Sequence, residues 1–265
     1  MEHFIWNIHP NILEFGSIQL RWYGVFFVGS FFVGLSIMTW VYKRENRDPI
    51  VLDNMLLYIM AGAVIGSRLM HCLAYEPEFY LANPLEIFKI WKGGLASHGG
   101  MLGLMFALYI FAIRNNESFF WILSRVTIAG AFTAASIRFG NFFNSEILGL
   151  PTDKPWGIIF ERVDMIARHP VQLYEAFAYL SLVAILLFTY KNVSFAFATK
   201  ILPAIFATYM FTIRFLLEYT KTRQADYVMD YPFTTGQMLS LPFIIIGIVW
   251  ILWALLSQQK DSIKP

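Results

Sequence analysis

The sequence predicts an all-α, polytopic membrane protein with seven transmembrane helices and an extracytoplasmic head region. Three observations lead there. Of the 265 residues, 57% are hydrophobic and only 14% charged, against roughly 25% charged in ordinary soluble domains. Seven apolar segments approach the length of about 20 residues that a helix needs to cross the bilayer core. The polar residues between them gather in two long connections, 75–97 and 138–169.

The expected spans are about 22–42, 51–74, 98–113, 119–137, 170–190, 200–219 and 236–257. The first and last are the clearest. The third is short and begins in glycines, and the fourth contains Arg125. The connection 75–97 holds Pro77 and Pro84 and the aromatic run 85–91, which reads as a short helix on the membrane surface. The connection 138–169 carries Asn141, Asn144, Glu146, Lys154, Glu161, Arg162, Asp164 and Arg168. With seven spans, both long connections lie on the side of the N-terminus.

Basic residues set the orientation when they sit in short loops on the cytoplasmic side. Lys43, Arg44 and Arg47, then Lys191 and Lys200, then Lys260 and Lys264 all fall opposite the N-terminus. The N-terminus is therefore expected in the periplasm and the C-terminus in the cytoplasm of a bacterial inner membrane. Lys221 and Arg223 run against that pattern. The N-terminal residues lack the basic stretch and small-residue cleavage site of a secretory signal, so no processing is expected. No repeat or linker divides the chain, and residues 1–265 read as one domain. The net charge of +2 gives a nucleic-acid partner no support. Cys72 is the only cysteine, so an internal disulfide is impossible. No spacing suggests a metal or an organic cofactor.

Four clusters carry candidate chemistry, because charge near membrane depth is costly. Arg21-Trp22-Tyr23-Gly24 opens the first span, where an interfacial aromatic belt is the plain reading of Trp22. The run from Gly93 to Gly100 places His98 among glycines, and an imidazole there suits a base near neutral pH. In Arg138-Phe-Gly-Asn141-Phe-Phe-Asn144-Ser-Glu146-Ile-Leu-Gly149, the guanidinium fork fits phosphate oxygens. The two asparagines, three apart, would share a face if helical. Arg214 and Glu218 are four apart, on one helical face. A self-neutralising ion pair is the bland reading of that pair, as a hydrogen-bonded loop cap is for the third cluster. Gly66 with Arg68, and the stretch from His169 to Glu175, are lesser candidates. Two arginines, a base and glycines together suit an anionic phospholipid headgroup.

Over nearly its whole length the chain resembles the prolipoprotein diacylglyceryl transferase family. The carrying pieces are RWYG at 21–24, GSR at 66–68, WKGGLASHGG at 91–100, RFGNFFNSE at 138–146 with Gly149, HPVQLYE at 169–175, RFLLE at 214–218 and GQMLSLP at 236–242. The resemblance implies seven spans, phosphatidylglycerol as lipid donor, and as acceptor a preprolipoprotein whose signal peptide carries a lipobox cysteine. It implies catalytic roles for His98, Arg138 and Arg214. It places Tyr23, Asn141, Asn144, Glu146, Gly149 and Glu218, with the two arginines, around the phosphatidylglycerol. Ile137, Leu150, Met210 and Arg125 depart from the family pattern. The implied reaction is attack of the acceptor thiol on a glycerol carbon, with glycerol phosphate leaving. A base helps, since a free thiol has a pKa of about 8.5. A transporter of an anionic solute or lipid is the alternative, but it would be expected to show repeats or paired interrupted helices. An intramembrane hydrolase built on Ser97 and His98 is a weaker rival, because adjacent side chains diverge on a helix.

Overall fold

Six helices are long and apolar enough to cross a membrane in the computed structural model, which describes residues 3–15, 18–94, 96–222 and 233–263. In chain order the helices are α1 (Trp22–Arg44), α2 (Leu52–Met70), the short α3 (Pro77–Ala82), α4 (Ser97–Arg114), α5 (Phe119–Phe143), α6 (Val171–Asn192), α7 (Phe195–Leu217) and α8 (Thr235–Ile263). Helix α2 runs on into a π-helical turn, His71–Tyr75. All but α3 and α4 meet the length and hydropathy needed to span. At 1.5 Å per residue the 18 residues of α4 reach about 27 Å, just short of the hydrocarbon core. The outward faces are apolar, with Phe32, Leu57, Ile65, Phe106, Phe188 and Ile245 all exposed. Such faces suit lipid, which solvates them while the helix satisfies its own backbone groups.

The described residues are mostly helical, as expected, and to the helices they add five short strands: β1 (Phe4–Trp6), β2 (Asn11–Phe15), β3 (Ile18–Arg21), β4 (Ile158–Phe160) and β5 (Ala167–Arg168). None exceeds five residues, too short to show an alternating pattern. Strand β1 pairs in parallel with β4, β4 is antiparallel to β5, and β2 and β3 form a separate hairpin. Two helix limits shift, and one expected surface helix is replaced. Helix α5 continues to Phe143, so Arg138 and Asn141 lie inside it rather than in a polar connection. Helix α7 starts at Phe195, where the Ser194 side chain accepts from the Phe197 N–H at 3.3 Å. The run 85–91 forms two 3-10 turns, Pro84–Phe88 and Ile90–Lys92, instead of one surface helix. Arg223 and Lys264 lie outside the described residues.

The chain divides into two compact units, with boundaries inside α1 and α5. Unit 1 comprises Met1–Ile37 and Ser124–Pro265. There α7 packs on α6 and on α8, and Gly247 admits the second contact closely: a Cβ at that position would lie 2.3 Å from Thr208 Oγ1. Phe142, Ile158 and Phe160 form a core under the three-stranded sheet, joined by Trp6, Phe143, Leu148 and Leu173. Arg125 is fully buried, and its guanidinium donates to Ser124 Oγ at 2.6 Å, Thr199 Oγ1 at 2.7 Å and the Phe195 carbonyl at 3.0 Å. Those bonds let a charged residue sit inside α5.

Unit 2 comprises Met38–Leu123. Its α2 and α4 meet through glycines. A Cβ on Gly62 would lie 2.5 Å from the Gly103 carbonyl, and one on Gly66 would lie 2.3 Å from the Gly99 carbonyl. Lipid offers no hydrophobic drive for helix association, so close backbone approach of this kind supplies the packing. The basic residues after α1 are tied down locally. Arg47 pairs with Glu117 and lies 3.8 Å over the Trp121 ring, whose indole N–H donates to Glu45 at 2.7 Å. Cys72 is fully buried.

Candidate active site

The last turns of α5 and the elbow after it form a polar chain in unit 1. Arg138 Nη1 donates to Asn141 Oδ1 at 3.2 Å, and Asn141 Nδ2 donates on to Glu146 Oε2 at 3.2 Å. Asn144 Nδ2 donates to the other carboxylate oxygen at 2.9 Å. The carboxylate only accepts, so it fixes which way both amides face. The Glu146 backbone is held as well: its N–H donates to the Asn141 carbonyl at 2.9 Å, and its carbonyl accepts from Gln172 Nε2 at 2.5 Å. On either side of Glu146, Ser145 (φ 56°) and Ile147 (φ 55°) are left-handed. A β-branched residue there is strained by about 1–3 kcal/mol, a cost usually met where the backbone must aim a side chain.

Glu175 on α6 is the hub beneath that chain. It is fully buried, with Arg138 Nε 2.8 Å from its Oε2 and Lys221 Nζ 2.8 Å from its Oε1. The Arg138 contact is ionic rather than an aligned hydrogen bond. The Tyr179 hydroxyl donates to the same carboxylate at 3.4 Å. Arg214, in the last turn of α7, has no side-chain hydrogen bond or ion pair among the described residues. The self-neutralising pair that was the bland reading of Arg214 and Glu218 is absent. Glu218 instead accepts from Thr234 Oγ1 at 3.0 Å and lies 3.7 Å from Lys221 Nζ. A Cβ on Gly236 would stand 2.5 Å from Glu218 Oε1, so glycine is needed there.

Beside this network opens a cleft of about 790 Å³. Arg21, Tyr23, Asn144 and Glu146 line its polar end, and Val25, Val28 and Phe32 its apolar end. The Tyr23 ring rests on Gly140, where a Cβ would come within 2.8 Å of it. Two buried acceptors, Asn144 Oδ1 and Gln172 Oε1, have no hydrogen-bond partner among the described residues. Chemically the arrangement offers cations for an anion, acceptors for hydroxyl groups and an apolar wall for hydrocarbon. No group of three or more His, Cys, Asp or Glu placed to hold a metal occurs among the described residues.

A model of the family described as "Prolipoprotein diacylglyceryl transferase" matches residues 10–253. The chain belongs to the prolipoprotein diacylglyceryl transferase family. It is 45% identical to the phosphatidylglycerol–prolipoprotein diacylglyceryl transferase of Chloroherpeton thalassium over 261 residues, which are 98% of this chain and 97% of that protein. The enzyme of the same name from Tolumonas auensis is 45% identical over 248 residues, covering 93% and 96%. That from Bacteroides fragilis is 35% identical over 271 residues, covering 98% and 97%.

Within this family member, most of the sequence-predicted site residues meet in unit 1. Arg138, Asn141, Asn144 and Glu146 form one chain, and Tyr23 shares a cleft with the last two. Gly149 supports rather than lines that cleft. A Cβ there would lie 2.3 Å from the His169 carbonyl, and its backbone pairs with Lys221. Its carbonyl accepts from Arg168 Nη1 at 3.3 Å, and Arg168 is clasped by Asp164 at 2.6 Å. That bond holds the Asp164 carboxyl below its usual range. His98 belongs to unit 2, is the second residue of α4, and is exposed. Sequence reading left Gln172 and Glu175 in a lesser candidate stretch without partners, took Lys221 only as an orientation charge, and missed Tyr179. The family stretch HPVQLYE, which holds both Gln172 and Glu175, was the available signal.

Proposed function

We propose that this chain transfers the diacylglyceryl group of phosphatidylglycerol to the lipobox cysteine of preprolipoproteins, the first step of bacterial lipoprotein maturation. It is a membrane transferase by family, and the naming of its relatives supports the donor and the acceptor. The observation that carries the reading is the unit 1 network. Its cationic end suits a phosphate, and the unsatisfied acceptors Asn144 Oδ1 and Gln172 Oε1 suit the hydroxyls of a glycerol headgroup. The acceptor thiolate attacks the glycerol carbon that bears the phosphate. The C–S bond forms as the C–O bond breaks, and glycerol phosphate leaves. Arg138 and Arg214 stabilise charge developing on the leaving oxygen. Asn141, Asn144, Glu146, Glu218 and Tyr23 orient the arginines and the headgroup. His98 takes the thiol proton.

On this reading the enzyme is one domain in the inner membrane, with α4 as the seventh span. Its N-terminus and the segment after α5 face the periplasm, and its C-terminus faces the cytoplasm. A C-terminal alkaline phosphatase fusion should then be inactive, and an active one would reverse the orientation. The test of function is transfer by purified protein in nanodiscs. Phosphatidylglycerol with a lipobox peptide should release glycerol phosphate. Replacing the peptide cysteine by serine, or the donor by phosphatidylethanolamine, should abolish release. Release independent of the cysteine would sink the proposal.

A further inference from the structure

The Gly66-Ser67-Arg68 triplet on α2 has no part in the transfer chemistry described above, yet it is the most heavily engaged feature of unit 2. Arg68 is only 4% exposed. Its Nε donates to the Ile87 carbonyl at 2.8 Å. Nη1 donates to Gly93 and Gly94 at 2.6 and 3.3 Å, and Nη2 to Glu86 and Lys89 at 2.6 and 3.4 Å. Every guanidinium nitrogen is therefore spent on a backbone carbonyl, and the cation lies 5.0 Å over the Tyr80 ring. A side chain so occupied is not free to bind a lipid phosphate. It gathers both ends of one segment, 86–89 and 93–94, onto α2.

The other two residues of the triplet continue the same task. The Ser67 carbonyl accepts the Ala96 N–H at 3.0 Å. Gly66 lets the first turn of α4 touch α2, since a Cβ on Gly99 would lie 2.3 Å from the Gly66 carbonyl. The turn itself needs glycine: Gly93 and Gly94 have φ of 87° and 74°. A Cβ on Gly94 would meet the His71 ring at 2.5 Å and Arg68 Nη1 at 2.7 Å. His98 follows four residues after Gly94 and two after Ala96, in the first turn of α4.

We infer that Arg68 is a positioning residue of the transferase, acting through the backbone at Gly93, Gly94 and Ala96 to set the place from which His98 works. This rests on the reading of His98 as thiol base. Lysine cannot replace Arg68, because a point ammonium with three donors cannot span carbonyls at two ends of a segment, as a planar five-donor fork does.

The test is a double-variant cycle in nanodiscs with phosphatidylglycerol and a lipobox peptide. Arg68→Lys should lower kcat tenfold or more, while KM for phosphatidylglycerol stays within about twofold. In a His98→Gln background the same change should cost less than about twofold, because the group it positions is gone. Like His98→Gln, Arg68→Lys should recover part of its rate as pH rises and the acceptor becomes thiolate. Gly94→Ala disturbs the same contact from the other side and should reproduce the pattern, which covers the case of Arg68→Lys failing to fold. Losses that multiply in the double variant, or a KM effect as large as the kcat effect, would overturn the inference for Arg68. Wild-type kcat in His98→Gln alone would instead overturn the base reading on which it rests.

Discussion

Replacing Glu175 by Gln tests the electrostatic design of the site. The side chain is fully buried and ties Arg138 and Lys221, each at 2.8 Å. Glutamine keeps the shape, so no cavity forms and the change is one of charge. Arg138 and Lys221 then share a buried site without the carboxylate that joined them, and Lys221 keeps only the more distant Glu218 at 3.7 Å. Removing one partner of a buried ion pair costs about 3–5 kcal/mol. For a chain of this size that corresponds to a thermal midpoint lower by on the order of 10 °C. Turnover should fall too, since Arg138 loses the anchor of its Nε and with it the aim of its fork. The assay is thermal unfolding in detergent beside transfer kinetics in nanodiscs. The double variant Glu175→Gln/Lys221→Met removes one of the two stranded cations and should recover much of the midpoint. An unchanged midpoint and rate in Glu175→Gln would refute the reasoning, as would a double variant less stable than the single.

Arg138→Lys and Arg214→Lys should each slow transfer by about ten- to a hundredfold, because lysine keeps charge but loses one charge-assisted bond of roughly 1.5–3 kcal/mol. Near-wild-type rates in both would remove the phosphate clamp. His98→Gln should lower the chemical step more than donor binding. Its deficit should shrink as pH rises toward the thiol pKa of about 8.5, since more acceptor is then already thiolate. A deficit constant across pH would make His98 a binding or structural group.

Six of the seven expected spans were legible because lipid solvation leaves a plain record, as the long apolar helices α1 and α8 show; α4 falls short of the length that the others reach. The end of α5 was not legible. Arg138 and Asn141 are polar, and polar residues after an apolar run read as a loop. The hydrogen bonds from Arg138 to Asn141 and from Asn141 to Glu146, with the Arg138–Glu175 ion pair, are what let the helix continue through them. Glu175 shows the limit of local pattern. Its charge partners stand 37 residues before it and 46 after it in the chain, so no spacing rule could have paired them. Lys221 was read as a loop charge bearing on orientation, whereas in the fold it neutralises Glu175. The Arg214 and Glu218 pair fails for the opposite reason. Spacing alone made it plausible, and Thr234 and Lys221 engage the carboxylate instead.

In the proposed reaction the whole diacylglyceryl group moves to sulfur. The direct measurement is mass spectrometry of a lipobox peptide after reaction with phosphatidylglycerol of defined chains, with released glycerol phosphate counted in parallel. The expected result is a thioether-linked diacylglyceryl adduct on the cysteine and one glycerol phosphate per adduct, both lost in Arg138→Ala. A peptide carrying a single acyl chain, or an adduct formed without glycerol phosphate, would contradict it.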